Sequence, residues 1–243
     1  FTEKTYEGTQ SCLACHGDIG DDMIGKAHFT WKGTAAGIEG FEAGQHGKVD
    51  LINNFCIAVP TNEGRCAQCH AGHGYTDDTF DFGDRNSVDC LICHDQSGTY
   101  KKVPTQAGAP DPTVDLDIVA RSVALNGGKP TRQNCTFCHA NAGGGDNVKH
   151  GDIAMALLDT TREFDVHMGT DGGDMDCVDC HNRAAHIYED PERGLDRRMA
   201  EGLLDAGLPF LKREALKAIR ADYPDSPAAR KGIDEAIRGS SGE

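Results

Sequence analysis

The feature that most constrains this chain is the string Cys-x-x-Cys-His, which occurs five times among its 243 residues. The copies span residues 12–16, 66–70, 90–94, 135–139 and 177–181, and we number them motifs 1 to 5 in chain order. This spacing is typical of covalent c-type haem attachment, in which both thiols bond the porphyrin and the histidine binds the iron. Paired cysteines also build structural zinc sites, but zinc does not require a histidine after every second cysteine. The sequence therefore predicts five haem c groups.

The motifs use ten of the 11 cysteines, so Cys56 has no partner for an internal disulfide. The predicted haem-attachment cysteines are Cys12, Cys15, Cys66, Cys69, Cys90, Cys93, Cys135, Cys138, Cys177 and Cys180. The predicted proximal iron ligands are His16, His70, His94, His139 and His181. We expect a short helical turn to carry each motif, because that geometry places both thiols and the imidazole on one side.

Six histidines lie outside the motifs and are candidates for the second axial ligand of each iron. They are His28, His46, His73, His150, His167 and His186. Because their number nearly matches the number of irons, ligation is the expected role. A methionine ligand would raise the reduction potential, but this supply of histidines favours imidazole. His73 follows His70 too closely to reach the same iron, so we expect it to bind a neighbouring haem or none.

The composition predicts a fold that depends on its cofactors. Hydrophobic residues make up 38% of the chain and aromatic residues 6%, so the porphyrins must supply much of the apolar interior. The expected fold class is mainly α with much irregular loop, a multihaem cytochrome c wrapped around a row of haems in one elongated body. We place this pentahaem core at residues 1–189 and a haem-free helical segment, which lacks Cys and His, at residues 190–243.

Helix signals are clearest in a few segments. In the core, the sequence predicts a helix over about 112–125, with Val114, Ile118 and Val123 near one face and a stop at Asn126-Gly127-Gly128. A second core helix is predicted over 152–158. In the C-terminal segment the predicted helices are 191–206, 209–222 and 227–238, with Leu211, Ala215 and Ile219 forming an apolar stripe and Gly239 as the final stop. That segment is either a cap on the haem core or an arm that docks on another subunit.

The charge of the chain limits the kinds of partner that it is expected to bind. The formal net charge is −15, and the haem propionates add to it, which argues against nucleic acid or an anionic membrane as a partner. No apolar stretch is long enough for a membrane span. Because c-type haem is attached outside the cytoplasm, we expect an exported protein, periplasmic or extracellular, whose secretion signal was removed before Phe1. Redox proteins or extracellular electron acceptors are the expected partners.

Several long strings carry a resemblance to a known family. They are Asn53-Asn54-Phe55-Cys56-Ile57 with Asn62-Glu63-Gly64-Arg65-Cys66, Val88-Asp89-Cys90-Leu91-Ile92-Cys93-His94-Asp95 with Gly98-Thr99-Tyr100-Lys101-Lys102, Gly143-Gly144-Gly145-Asp146-Asn147-Val148-Lys149-His150-Gly151-Asp152, and Asp165-Val166-His167-Met168-Gly169. In these strings the chain resembles the octahaem tetrathionate reductase family. The resemblance covers about residues 10–186, the first five of that family's eight haems, and does not extend to residues 190–243.

The resemblance implies a haem whose iron is bound by a lysine amine. By motif, that lysine is Lys149 and the haem is the one on motif 2; Cys56 and Asn53 would line the pocket, with Asp146 close by. An amine binds iron only when deprotonated, and burial lowers the pKa of a lysine in that direction. From the residues alone, Lys149 is better explained as a solvated surface lysine, and Cys56 is either a functional thiol or a small buried hydrophobe.

Two functions follow from these readings. The first is electron transfer along closely packed haems; the second is reduction of tetrathionate, nitrite or hydroxylamine at the haem of motif 2, with Lys149 displaced or donating a proton. We favour electron transfer, because three of the family's haems are absent and the C-terminal segment differs. If Lys149 binds one iron, four irons remain for six spare histidines. An unused histidine could then bind a haem in another copy, which predicts self-association through haems and C-terminal helices, as in a conducting filament.

Overall fold

The protein is described by a computed structural model that divides into two compact units, Phe1–Ile187 and Tyr188–Glu243. The structure describes residues 5–34, 37, 39–40, 44–51, 58–146, 153–181, 183–186, 190–224 and 226–240. Asn53, Cys56, Lys149 and His150 lie outside these residues. Within the described ranges, none of the helices is both long and apolar enough to cross a lipid bilayer.

The first unit consists of short helices joined by long irregular loops. Its helices are α1 (Gln10–Leu13), α2 (Gly17–Ile24), α3 (Ala27–Thr30), α4 (Glu63–Cys66), α5 (Leu91–His94), α6 (Leu116–Asn126), α7 (Arg132–His139) and α8 (Cys177–Cys180). Strands β1 (Lys32–Thr34) and β2 (Gln45–Gly47) pair antiparallel, with Gly33 opposite His46. Turns of 3-10 helix lie at Arg85–Ser87, Ala142–Gly144 and Met155–Leu158. The predicted fold class, mainly helical with much irregular loop, is confirmed.

Each haem motif begins on or beside a short helix. Motif 1 starts inside α1, motif 2 at the end of α4, and motif 3 at the residue before α5. Motif 4 lies within α7, and motif 5 occupies α8 and the residue that follows it. Backbone hydrogen bonds from His16 to Cys12 and from His181 to Cys177 close the helical turns of motifs 1 and 5. The predicted helical turns are confirmed.

The helix predicted over 112–125 begins later than expected. It starts at Leu116, because the carboxylate of Asp115 accepts hydrogen bonds from the backbone N–H groups of Asp117 and Ile118 and so caps the first turn. The buried residues of this helix are Val119 and Ala120, whereas Ile118 is 55% exposed. The predicted stripe was therefore wrong at Ile118, although Gly127, with φ +74°, ends the helix as predicted.

The apolar core of the first unit is small and lies beside motifs 2 and 3. One cluster is formed by Met23, Phe29, Ala71, Val88 and Ile92, and a second by Val59, Ala67 and Tyr75. Ala67 is inside motif 2, Ala71 directly follows it, and Ile92 is inside motif 3. The helix predicted over 152–158 is a 3-10 turn, Met155–Leu158, and residue 152 lies outside the described residues.

The second unit has three described helices, α9 (Pro191–Ala200), α10 (Leu211–Ile219) and α11 (Ser226–Ser240). The first ends six residues before the predicted 206, because Gly202 takes φ +73°. The N–H of Gly202 donates to the carbonyl oxygen of Met199, and the N–H of Leu203 donates to the carbonyl oxygen of Arg198. This is a Schellman termination, which satisfies the last carbonyls of a helix.

The other two helices of the second unit also differ from their predictions in detail. The second helix, predicted over 209–222, is shorter at both ends. In α10 the buried positions are Ala215 and Ala218, whereas Ile219 is 46% exposed, so the predicted stripe was wrong at Ile219. Helix α11 continues to Ser240, so Gly239 does not end it.

Candidate haem-binding sites

The rings of His94 and His186 are separated by a distance that suits one iron between them. Their centres are 6.2 Å apart and their planes differ by 25°. Two imidazoles that bind one metal from opposite sides have ring centres roughly 6 Å apart, since each nitrogen lies about 2 Å from the metal. Burial lowers the pKa of His186, which favours the neutral imidazole that binds metals. This pair can therefore supply both axial ligands of the haem on motif 3.

The orientation of His94 is set by the turn after α6. Its Nδ1 lies 2.6 Å from the carbonyl oxygen of Gly128, which leaves Nε2 for a metal. Gly128 has φ +61°, and a Cβ there would lie 2.8 Å from Cγ1 of Val123. Only glycine fits this close approach without strain. The Gly-Gly turn thus ends a helix and also orients the ring of His94, the predicted proximal histidine of motif 3.

His28 and His139 form a second pair of the same kind. Their ring centres are 6.0 Å apart, with an interplanar angle of 75°. Nδ1 of His28 lies 2.9 Å from the carbonyl oxygen of Ala184, so its Nε2 is the nitrogen left for a metal. Burial lowers the pKa of His28 as well. This pair can supply both axial ligands of the haem on motif 4.

The predicted proximal histidine of motif 2, His70, is surrounded by aromatic rings. His70 is fully buried, with its ring centre 4.7 Å from that of Trp31 and 5.1 Å from that of Phe29. Burial and then the positive charge of Lys102 lower its pKa to about 3. Both ring nitrogens are buried with no hydrogen-bond partner among the described residues. A buried polar atom without a partner is costly, and ligation of iron would satisfy one of these nitrogens.

Thiols from different motifs lie within hydrogen-bonding reach of one another. The pairs are Cys12 with Cys90, Cys69 with Cys138, and Cys135 with Cys177. They join motif 1 to motif 3, motif 2 to motif 4, and motif 4 to motif 5. Cys93 of motif 3 also interacts electrostatically with both thiols of motif 4. The first unit therefore brings all five attachment motifs into one contiguous group, with motifs 3 and 4 at its centre.

The remaining candidate ligands are in different environments. His73 is partly buried, and burial is the main cause of its lowered pKa. His46 lies on β2, with its Nδ1 3.5 Å from a carboxylate oxygen of Asp50. His167 is the most exposed of these, with 74% of its side chain accessible and Nδ1 3.9 Å from Asp165. His150 lies outside the described residues.

The residues of the predicted reductase pocket are mostly outside the described part of the chain. Of the four, the structure describes Asp146 alone. Its side chain is exposed, and its carboxylate accepts a hydrogen bond from the backbone N–H of Met155 at 3.2 Å. The predicted contacts of Asp146 with Asn53, Cys56 and Lys149 therefore stay predictions.

A buried polar cluster beside motif 3 was missed by the sequence analysis. Nζ of Lys102 lies 2.9 Å from Oδ2 of Asp89, and the hydroxyl of Tyr100 donates to the same oxygen at 2.8 Å. The signal was present, since these residues fall in the strings that carry the family resemblance. A lysine in an otherwise polar loop nevertheless gives no sign of burial, because lysines are rarely buried.

Comparison with known proteins independently supports c-type haem as the cofactor of these motifs. No family model matches the chain. The octahaem cytochrome c of Shewanella oneidensis is 40% identical and superposes with a TM-score of 0.64 over 74% of this chain and 39% of that one. The cytochrome c-type protein ImcH of Geobacter sulfurreducens is 42% identical over 63 residues, which are 26% of this chain and 12% of ImcH. An uncharacterised protein of Archaeoglobus fulgidus is 26% identical over 231 residues, 75% of each chain.

These likenesses and the haem motifs together define the class of protein. The chain has the fold of a multihaem c-type cytochrome, and covalently bound c-type haem is its implied cofactor. The imidazole pairs and the orphaned nitrogens of His70 fit that cofactor. The chain spans about two-fifths of the length of the Shewanella octahaem protein. The narrower resemblance to octahaem tetrathionate reductases stays a prediction.

Proposed function

We propose that the chain transfers electrons through five covalently attached c-type haems, one on each motif. The observation that carries this proposal is the grouping of the five attachment motifs, with thiols of neighbouring motifs in contact. Haems attached at such sites lie close enough for direct electron exchange. When bound, haem supplies one-electron chemistry, and the chain supplies axial ligands, spacing and surrounding charge.

The ring geometry supports an assignment of distal ligands to two of the irons. We assign His186 to the iron of His94 and His28 to the iron of His139. The three other irons then draw on His46, His73, His150, His167 and Lys149. Two imidazoles on one iron favour a low-potential electron-transfer haem with no open coordination position for a substrate.

A reductase of tetrathionate, nitrite or hydroxylamine is the second candidate. It is supported by the family strings that contain Asn53, Cys56, Asp146 and Lys149. In that case the haem of motif 2 is the reaction centre and the others deliver electrons to it. The paired imidazoles of motifs 3 and 4 suit electron delivery under either candidate. We favour electron transfer because the resemblance covers only the first five of the family's eight haems and residues 190–243 differ.

The surplus of histidines supports a role in self-association. His167 projects into solvent with 74% of its side chain accessible, so it can reach a haem of another copy. Together with the helices of the second unit, such ligation would build a polymeric cytochrome. Export to the periplasm or the extracellular space is part of this proposal, because c-type haem is attached outside the cytoplasm.

Reoxidation kinetics separate the two candidate functions. We expect the fully reduced protein to be reoxidised quickly by a general one-electron acceptor such as ferricyanide. Excess tetrathionate, nitrite or hydroxylamine should act much more slowly, as followed by stopped-flow haem absorbance. The Lys149→Leu variant should show the same rates with these substrates as the wild type. Fast reoxidation by one of them, lost in Lys149→Leu, would establish the reductase instead.

A further inference from the structure

An ion pair is buried between motifs 2 and 3, where haem attachment does not require one. The side chains of Lys102 and Asp89 are 0% and 1% exposed, and their charged atoms are 2.9 Å apart. Burial by itself would raise the pKa of Asp89, but the attraction of Lys102, followed by that of His73, holds it below its usual value. A buried ion pair contributes little stability compared with apolar side chains of the same volume. Its position therefore suggests an electrostatic role.

The two ends of this ion pair contact different haem motifs. Nζ of Lys102 donates to the carbonyl oxygen of His70 at 2.5 Å and to that of Gly72 at 2.9 Å. Asp89 directly precedes Cys90, and its Oδ1 accepts a hydrogen bond at 3.2 Å from the N–H of Ile92, in the helix of motif 3. The positive end thus contacts the proximal ligand of motif 2, while the negative end caps motif 3.

We propose that Lys102 and Asp89 form a fixed dipole that makes the haem of motif 2 easier to reduce than the haem of motif 3. A positive charge stabilises the haem state that holds the extra electron, and a negative charge destabilises it. The low polarity of the buried site strengthens both effects. The proposal rests on the haem attachment proposed above.

The dipole favours one direction of electron flow between these two centres. With haem bound at both motifs, the dipole would favour transfer of one electron from the centre on motif 3, which would be oxidised, to the centre on motif 2, which would be reduced. No bond is formed or broken, and no proton is transferred. Lys102 touches the backbone of motif 2 and no reacting atom, so it is a positioning residue that acts through His70.

The test compares Lys102→Met with Lys101→Met in a potentiometric titration of the holoprotein. The second variant is a matched control, because Lys101 is 54% exposed and pairs with Asp111 at 3.3 Å. In Lys102→Met we expect one of the five one-electron components to move to lower potential. The ratio of reduced to oxidised haem in that component should fall at least tenfold at fixed applied potential, a shift of about 59 mV. Lys101→Met should leave every component in place.

A second variant keeps the test decisive if Lys102→Met does not fold. Asp89→Asn preserves the shape and removes the negative charge, so the haem of motif 3 should become easier to reduce. His186→Met identifies that component, because a methionine ligand raises its potential. If all five components keep their potentials in the variants that fold, the proposed dipole effect is wrong, even if the unfolding temperature of these variants falls. Fewer than five components in the wild type would contradict the proposed function itself.

Discussion

Replacing His186 with alanine is expected to convert one of the five proposed haems from low spin to high spin. The ring of His186 lies 6.2 Å from that of His94, the distance at which both can bind one iron. Without this imidazole the iron keeps one strong protein ligand, and a vacant or water-bound sixth position gives a high-spin centre. Electron paramagnetic resonance of the oxidised protein should show one high-spin haem per chain, and the low-spin signal should fall by one fifth.

The same segment offers a matched control for this change. Arg183→Ala alters an exposed residue near His186 without removing an imidazole, and its spectrum should equal that of the wild type. His28→Ala should produce one high-spin haem of its own, and combining it with His186→Ala should give two. An entirely low-spin spectrum for His186→Ala would show that another side chain binds the iron of His94.

Loss of the haem on motif 3 is expected to destabilise the whole first unit, whereas loss of the haem on motif 5 is not. The thiols of motif 3 contact those of motif 1 and interact with those of motif 4, and Leu91 and Ile92 are buried in the core. Removing the haem of this motif leaves a large cavity at the centre of the group. Large cavities cost about 3–5 kcal/mol, which lowers the unfolding temperature by roughly 10 °C in a domain of this size.

Two double variants test this difference. Cys90→Ser with Cys93→Ser should lower the unfolding temperature strongly and reduce the yield of folded protein. Cys177→Ser with Cys180→Ser should stay folded with four haems, because Cys180 is exposed and motif 5 has a thiol contact with motif 4 alone among the described residues. Calorimetry and haem counting by mass spectrometry check both outcomes. Equal stability of the two variants would refute the central place of motif 3.

Much of the fold was predictable because covalent haem attachment demands a local pattern. Each Cys-x-x-Cys-His motif marks its own position, and the low apolar content correctly indicated short helices and long loops. The start of α6 at Leu116 was not predicted, because Pro112 is a residue type that commonly begins a helix. The residue that caps the helix is Asp115, whose carboxylate accepts hydrogen bonds from the first free backbone N–H groups.

The pairing of ligands could not be predicted, because it depends on long-range packing. His28 and His139 are 111 residues apart in sequence, and nothing local marks them as partners. The burial of Lys102 was hidden for a similar reason, since its partners are His70 of motif 2 and Asp89, the residue before motif 3. The sequence predicts the pool of candidate ligands, whereas the pairing proposed above depends on which of them the fold brings together.

The most direct test of electron transfer through five haems is a spectroelectrochemical titration of the mature holoprotein. We expect the protein to take up five electrons per chain, one for each motif, reversibly in both directions. The two haems with paired imidazoles should stay low-spin in both oxidation states. Uptake of fewer than five electrons, or a haem that changes its coordination on reduction at His94 or His139, would contradict it.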